Sequence, residues 1–353
     1  MLFIAIGMPG RFSEWSEAAL VEIAQSSGHP APRIMSDGLE QLGREVVLRG
    51  GAPAVAIARQ PHATFATVVV EAGHPFMVTL EPPGRVVAAL YNDQGRSLAD
   101  AVRYTASSLA TMAPLTRSPH ALVVSLDSVK PNVALIARIA EHFEVAEPMA
   151  LAGRIADSDT LRSLADRVEA PDAPSASLLA LDDTTFPPEF AALRDWYARP
   201  VGDGALHSMW RYVLGEELAE VFWHPALFCL GSDPARPPTG IIDVTGSGRC
   251  LTFGPYVRLP AGAWSCSLIL GCAKSAIGLR LLVEVFAGSV LGSARFGIPE
   301  AGVFEIDVAF VNSAPDVPLE VRLFTTQPAF EGEIAIGGVR MVPLKVPRLT
   351  SSP

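Results

Sequence analysis

The chain has 353 residues, of which 49% are hydrophobic and 18% are charged, and its formal net charge is −10 at pH 7. This length predicts two domains with sizeable cores. The sequence contains no run of 18 apolar residues, so we expect no transmembrane helix. From residue 237 onward nine basic side chains balance nine acidic ones, so the negative excess falls on the preceding part. Because neither part has a basic stripe that could neutralise phosphates, we expect no nucleic-acid partner.

The chain opens with a short apolar run, residues 2–8, which is followed by a Gly/Pro turn and a helix containing Trp15. The run lacks a basic segment before it and a small-residue cleavage site after it. We therefore interpret it as a buried strand of a cytoplasmic protein and not as a signal peptide. Ser13 is the predicted N-cap of the helix, and Gly28 with Pro30 would end it. A turn between a strand and a helix is a natural anion site.

Further elements alternate between strands and helices up to about residue 170. Asp37 could cap a second helix that contains Leu39 and Val46. We predict strands at 65–70, 76–80 and 121–126, and helices at about 98–112 and 131–142. Such alternation implies crossover connections. Residues 1–170 are therefore expected to form a three-layer α/β domain with a mostly parallel sheet.

A connecting segment is predicted over residues 171–236. Residues 171–188 are rich in Pro, Ser and Asp, which is typical of a linker or an extended arm. A helix is expected at about 205–221.

The remainder, residues 237–347, has short segments of alternating hydrophobicity separated by Gly, Pro, Asn or Asp. This pattern predicts an antiparallel β-sandwich of the jelly-roll type. The predicted strands are 241–244, 249–253, 256–259, 264–270, 279–286, 290–296, 303–310, 319–324 and 333–341.

The four cysteines show neither C-x-x-C pairing nor the spacing of a zinc site. We expect free thiols in a reducing compartment and no metal site.

Three stretches of residues 1–150 carry a family resemblance. The stretches are the loop Ile6-Gly7-Met8-Pro9-Gly10-Arg11-Phe12-Ser13, the segment from Val78 to Ala89, and the strand 122–126 with the following Asp127. Their order resembles that of three motifs of the P-loop sulfotransferases. These enzymes transfer a sulfuryl group from PAPS to an alcohol or amine. The resemblance implies that Gly10, Arg11 and Ser13 are the remains of a loop that held the 5′-phosphate of the cofactor.

The departures from this family pattern fall on the cofactor contacts. Glu81 and Ala89 stand where the family has the Arg and Ser that hold the 3′-phosphate. A carboxylate repels a phosphate, and the missing guanidinium removes a bidentate contact. We therefore expect a degenerate sulfotransferase-like domain that uses no cofactor and does not bind PAPS.

The stretch Pro255-Tyr256-Val257-Arg258-Leu259-Pro260-Ala261-Gly262-Ala263-Trp264 resembles the strand, turn and aromatic strand of carbohydrate-binding jelly rolls. Exposed aromatic rings stack on the apolar faces of sugars. This predicts glycan contacts from Tyr256, Arg258 and Trp264, with the alternative that Trp264 is a core residue.

These expectations favour a non-catalytic glycan-binding or scaffolding protein whose partner is a polysaccharide or another protein. One alternative is an active sulfotransferase-like enzyme acting on a glycan. Another is a structural protein whose sandwich mediates homo-oligomerisation.

Overall fold

The computed structural model describes residues 2–26, 31–50, 52–170, 186 and 188–344. One compact unit takes its described residues from the ranges 1–97, 108–175 and 213–215, and a second takes them from 98–107, 176–212 and 216–353. Of the linker predicted at 171–188, residues 171–185 and 187 lie outside the described residues, as do Gly28 and Pro30. We describe each unit by itself.

Five short strands and the helices between them build the first unit. The strands are β1 Leu2–Gly7, β2 Arg33–Met35, β3 Ala54–Ala58, β4 Phe76–Leu80 and β5 Ala121–Ser125. The helices are α1 Arg11–Gln25, α2 Leu39–Leu48, α3 Ala63–Glu71, α4 Pro83–Asn92, α5 Leu98–Thr116, α6 Val133–His142, α7 Pro148–Ile155 and α8 Asp159–Glu169. Residues 98–107 of α5 group with the second unit.

The five strands form one parallel sheet with the order β2-β3-β1-β4-β5. Successive residues of β1 point to opposite faces of the sheet, and those from Phe3 to Gly7 are all buried. Both faces are therefore covered, which is characteristic of a parallel sheet flanked by helices. The predicted parallel α/β fold is confirmed.

The predicted strand at 65–70 is wrong, because these residues lie in α3. Phe65, Ala66 and Val69 are buried while Thr67 and Val68 are exposed, which is the spacing of one helix face. The run of β-branched side chains suggested a strand. The place in the sheet belongs to β3, whose sequence is Ala-Val-Ala-Ile-Ala.

The second unit is built mainly of strands. They are β6 Val221–Trp223, β7 Cys229–Leu230, β8 Ile242–Asp243, β9 Cys250–Phe253, β10 Pro255–Val257, β11 Gly262–Cys272, β12 Arg280–Ala287, β13 Ser289–Gly297, β14 Gly302–Asn312, β15 Leu319–Thr325 and β16 Glu333–Pro343. Two helices precede them, α9 Arg194–Tyr197 and α10 Asp203–Val213. The helix predicted at 205–221 therefore ends earlier, and β6 follows it.

These strands form two antiparallel sheets, which confirms the predicted all-β part. One sheet has the order β13-β12-β15-β9-β7 with β10 beside β15, and the other has the order β14-β11-β16-β6 with β8 beside β16. Each of the nine strands predicted after residue 240 has a counterpart. The short strands β6 and β7 were not predicted.

The outer face of the β11 sheet is covered by the segment around a 3-10 helix at Pro188–Leu193. Ile269 of β11 is fully buried in a cluster with Phe190 and Leu193. The corresponding face of the other sheet is half-buried. Along β12 and β15 buried side chains alternate with partly accessible ones. This second face, which we call the β15 face, contains Glu284 and Phe286 of β12 and Glu320 and Arg322 of β15.

Candidate functional site

The turn after β1 lies at the point where the order of the parallel sheet reverses. From β1 the chain passes to β2 and β3 on one side, and only later to β4 and β5 on the other. The crevice between the carboxyl ends of β1 and β4 is therefore where an open α/β sheet usually binds its ligand. The loop Met8–Gly10 and residue Glu81 border this crevice.

The carboxylate of Glu81 lies against the N-terminus of α1. Its Oε2 accepts a hydrogen bond of 3.1 Å from the backbone N–H of Phe12, and Glu81 is only 1% exposed. The first N–H groups of a helix attract an anion because no intrahelical acceptor serves them. Here the chain supplies that anion itself.

Gly10 allows this close approach. It is the N-cap of α1, and a Cβ atom placed on it would overlap Oε2 of Glu81 and lie 2.8 Å from Cδ. No side chain other than hydrogen therefore fits at position 10 while Glu81 keeps its place.

Arg11 is held by another carboxylate of the same unit. Its Nε donates to Oδ2 of Asp93 at 2.8 Å and its Nη2 donates to Oδ1 at 3.0 Å. This bidentate pair lowers the pKa of Asp93 below its ordinary value, chiefly through the hydrogen bond from Arg11. The guanidinium predicted to hold an anion thus binds an internal carboxylate.

The C-terminal end of α8 engages the remaining cations beside the crevice. Arg85 donates to the carbonyl of Val168 and lies 3.9 Å from Oε1 of Glu81. Arg167 pairs with both Glu14 and Asp93 at 3.2 Å. Three arginines therefore face three carboxylates beside this crevice, and the formal charges of these six groups cancel.

Ser13 and Ala89 are both buried within helices, and a cofactor contact of Ser13 stays a prediction. Ser13 is a fully buried residue of the first turn of α1, so its prediction as the N-cap is wrong and Gly10 has that position. Asp37 likewise does not cap α2, because Gly38 is its N-cap and Asp37 accepts from the N–H groups of Arg59 and Gln60. Ala89 is buried within α4.

The second candidate site surrounds Tyr256 in the sandwich unit. Tyr256 is 40% exposed, and its ring meets that of Phe253 edge to face with the centroids 6.1 Å apart. Its φ of 64° lies in the left-handed region, which an aromatic residue adopts at a cost of about 1–2 kcal/mol. Partial burial and the nearby Glu320 raise the pKa of its hydroxyl.

A planar ion pair lies beside Tyr256 on the β15 face. Arg322 donates from Nε and Nη2 to the two carboxylate oxygens of Glu320, at 2.9 and 3.1 Å. The guanidinium carbon of Arg322 is 3.5 Å from the centre of the Phe286 ring. Glu284 is the cross-strand neighbour of Arg322. The face thus offers fixed hydrogen-bond donors and acceptors next to an exposed ring.

The predicted stacking role of Trp264 is contradicted by its burial. Trp264 is 1% exposed, and its indole N–H donates to the carbonyl of Pro260 at 3.1 Å. Neither face of the ring can therefore reach a ligand. The core alternative is correct.

Arg258 follows β10 and is half-buried. Its backbone N–H donates to Oγ of Ser107 at 3.2 Å. A ligand contact of its side chain stays a prediction.

Sequence reasoning missed Glu320, Arg322 and Phe286. Their strands were predicted, but their pairing across strands depends on the register of β12 against β15. The alternation Leu319-Glu320-Val321-Arg322-Leu323 indicated only that the two charged side chains share a face. No chemical motif marks them.

Among the described residues no group of three or more His, Cys, Asp or Glu side chains could hold a metal ion. In the same part of the chain no helix is long and apolar enough to cross a membrane. All four cysteines are free thiols, and burial raises the pKa of Cys266 and that of Cys272, the latter to about 12.

No protein-family model matches the chain, and no curated protein matches it. A mouse sulfotransferase complexed with PAP is similar in structure: it is 12% identical, the match covers 46% of this chain and 65% of that one, and the TM-score is 0.34. TmCBM61 in complex with beta-1,4-galactotriose is 11% identical over 28% of this chain and 67% of that one, with a TM-score of 0.24. The xylan-binding module CBM15 is 11% identical over 29% and 76%, with a TM-score of 0.23. At such TM-scores these similarities carry no argument about function, and the fold rests on the strand orders given above.

Proposed function

We propose that this protein is a non-catalytic glycan-binding protein whose α/β unit has replaced an anion site by an internal carboxylate. The contact of Glu81 with the first turn of α1 carries the non-catalytic part of the proposal. A sulfuryl or phosphoryl donor would have to displace a buried carboxylate and approach Asp93 and Glu14. Both steps oppose the binding of an anion.

The β15 face supports the glycan-binding part of the proposal. Sugars present apolar C–H faces and hydroxyl groups that both donate and accept hydrogen bonds. The Tyr256 ring is accessible for stacking, and the Glu320–Arg322 pair supplies acceptors and donors in a fixed plane. The strained backbone of Tyr256 fits a role in ligand contact, because such strain concentrates at binding sites.

Native gel electrophoresis in gels that contain a soluble polysaccharide tests this function. We expect at least one of xylan, galactan or mixed-linkage β-glucan to retard the full chain. Tyr256→Asn should abolish the retardation, since Asn tolerates the left-handed conformation but offers no ring. Failure of every polysaccharide to retard the protein, together with a stable oligomer in light scattering, would favour the structural alternative.

We also propose a reducing, cytoplasmic location, since all four cysteines are free thiols. Cysteine labelling of the native protein in intact cells tests it. Disulfide-linked species in a non-reducing extract would contradict it. Self-association and the finer sulfotransferase relationship stay proposals, which light scattering and the cofactor titration described below examine.

A further inference from the structure

A separate cavity lies in the first unit, at the carboxyl end of β5. It has a volume of about 420 Å³ and is formed by the loop after β5 and the beginning of α6. This volume is within the range of small-molecule sites. Its lining includes neither Glu81 nor Gly10 and Arg11, the residues described above at the crevice between β1 and β4.

Two cations line this cavity. They are Lys130, in the loop, and Arg138, on α6. Ala134, one turn before Arg138, also lines the cavity, so both residues lie on the same face of α6. Asp127 is the one carboxylate among the described lining residues, and the side chains therefore leave a net positive charge.

Neither cation is neutralised by a partner in the described part of the chain: no hydrogen bond or ion pair of the Lys130 or Arg138 side chain is found there. Several other arginines of the same unit, Arg11, Arg59 and Arg167, each form an ion pair. Lys130 and Arg138 are exposed to solvent, so their charges are available to a ligand in the cavity.

The backbone adds donors at the same place. Asn132 caps α6 by accepting from the N–H of Leu135 at 2.9 Å. Its carbonyl accepts from the N–H of Ile136. The N–H groups of Val133 and Ala134 have no intrahelical acceptor, because they belong to the first turn. An oxyanion near Ala134 would meet these donors and both cations.

We propose that this cavity binds a small phosphate or sulfate monoester. The tetrahedral oxyanion would lie between Lys130, Arg138 and the first turn of α6. Leu126 and Val129 would contact a short aliphatic part of the ligand. The described lining has no aromatic side chain that could stack on a nucleobase, so the ligand class is a small ester and not a nucleotide.

Isothermal titration calorimetry of the full chain tests the proposal, with glycerol 3-phosphate, ethyl sulfate and glycerol as separate probes. We expect saturable binding of at least one ester and none of glycerol. Lys130→Gln/Arg138→Gln should weaken that binding about tenfold or more, because two charge-assisted contacts are lost. Arg154→Gln/Arg236→Gln changes the net charge equally at exposed positions that do not line the cavity, and this variant should bind as the natural protein does.

A second variant protects the test against a folding defect. Ala134→Glu places a carboxylate at the cavity, on an exposed helical position, and should abolish binding while circular dichroism stays unchanged. The phosphate and sulfate arms identify which ester is preferred. Absence of binding for both esters, or equal binding by Lys130→Gln/Arg138→Gln, would overturn the proposal. Neither result bears on glycan retention, which concerns the other unit.

Discussion

The backbone N–H of Phe12 donates to Oε2 of Glu81 at 3.1 Å. This bond joins the first turn of α1 to the residue directly after β4, at the crevice where the sheet order reverses. A helix N-terminus in that place usually serves an anionic ligand. In this protein the served anion is a side chain, so the crevice contributes to the stability of the fold.

Substitution of Gly10 tests the geometry of this contact. Gly10→Ala should lower the free energy of unfolding by about 1–3 kcal/mol, because the added Cβ displaces the Glu81 carboxylate. The matched control is Gly43→Ala within α2, where a Cβ meets nothing within 4 Å. That variant should be stabilised by about 0.5–1 kcal/mol. Urea unfolding measures both, and a Gly10→Ala protein as stable as the natural one would refute the described contact.

Removal of the charge of Glu81 tests its electrostatic part. Glu81→Gln keeps an oxygen for the Phe12 N–H but loses the attraction to the helix N-terminus and to Arg85. We expect a loss of about 1–2 kcal/mol in the free energy of unfolding. Glu40→Gln, in the first turn of α2 at a largely exposed position, should change it by a few tenths at most. Equal effects of the two substitutions would contradict a special role of Glu81.

The burial of His224 predicts that the free energy of unfolding depends on pH. It is fully buried, and burial lowers its pKa to about 4. Nδ1 accepts from the N–H of Ala226 at 3.1 Å, and Nε2 lies 3.4 Å from the carbonyl of Tyr197. The neutral ring with its proton on Nε2 satisfies both contacts.

The unfolded state takes up this proton near pH 6.5, whereas the folded state does so only near pH 4. His224 therefore costs stability as the pH falls through this window, by about 3 kcal/mol in total. His224→Asn keeps an acceptor for Ala226 and does not titrate, so its stability should decline less between about pH 7 and about pH 4.5. Urea unfolding across that range checks it, and parallel curves for the two proteins would show that His224 is not the cause.

Substitutions of Tyr256 and Trp264 should distinguish a residue that contacts the ligand from one that packs in the core. Tyr256→Asn should alter the free energy of unfolding by about 1 kcal/mol or less and remove polysaccharide retention. Trp264→Phe should lose about 2 kcal/mol and keep retention, because the indole is buried. Urea unfolding and affinity gels on the same preparations test both variants. Loss of retention in Trp264→Phe but not in Tyr256→Asn would indicate that Trp264, and not Tyr256, contacts the polysaccharide.

Much of the sandwich could be predicted because hydrophobic alternation is clear in long strands such as β12 and β15. The strands and helices of the α/β unit were harder to predict from the sequence. Phe65 to Val70 combines β-branched side chains with a helical spacing of buried positions, and tertiary packing favoured the helix. Ala54 to Ala58 has only two strong strand formers, Val55 and Ile57, among three alanines, and the parallel sheet buries the whole segment on both faces.

The candidate site could be predicted only where a single residue type decides the chemistry. The carboxylate of Glu81 predicted, before any geometry was known, that this position would not hold a phosphate. Its contact with Phe12 spans 69 positions in the chain and depends on how β1 and β4 pair. The Glu320–Arg322 pair on Phe286 likewise needs the register between two strands, which no local pattern encodes.

The most direct test of the central claim is calorimetric titration of the full chain with PAP and with PAPS. Because the Glu81 carboxylate occupies the helix N-terminus and Arg11 is bound to Asp93, we predict no saturable heat from either nucleotide. Saturable binding of PAP or PAPS that disappears in Arg11→Ala would show that the crevice still accepts the cofactor, and it would contradict the account.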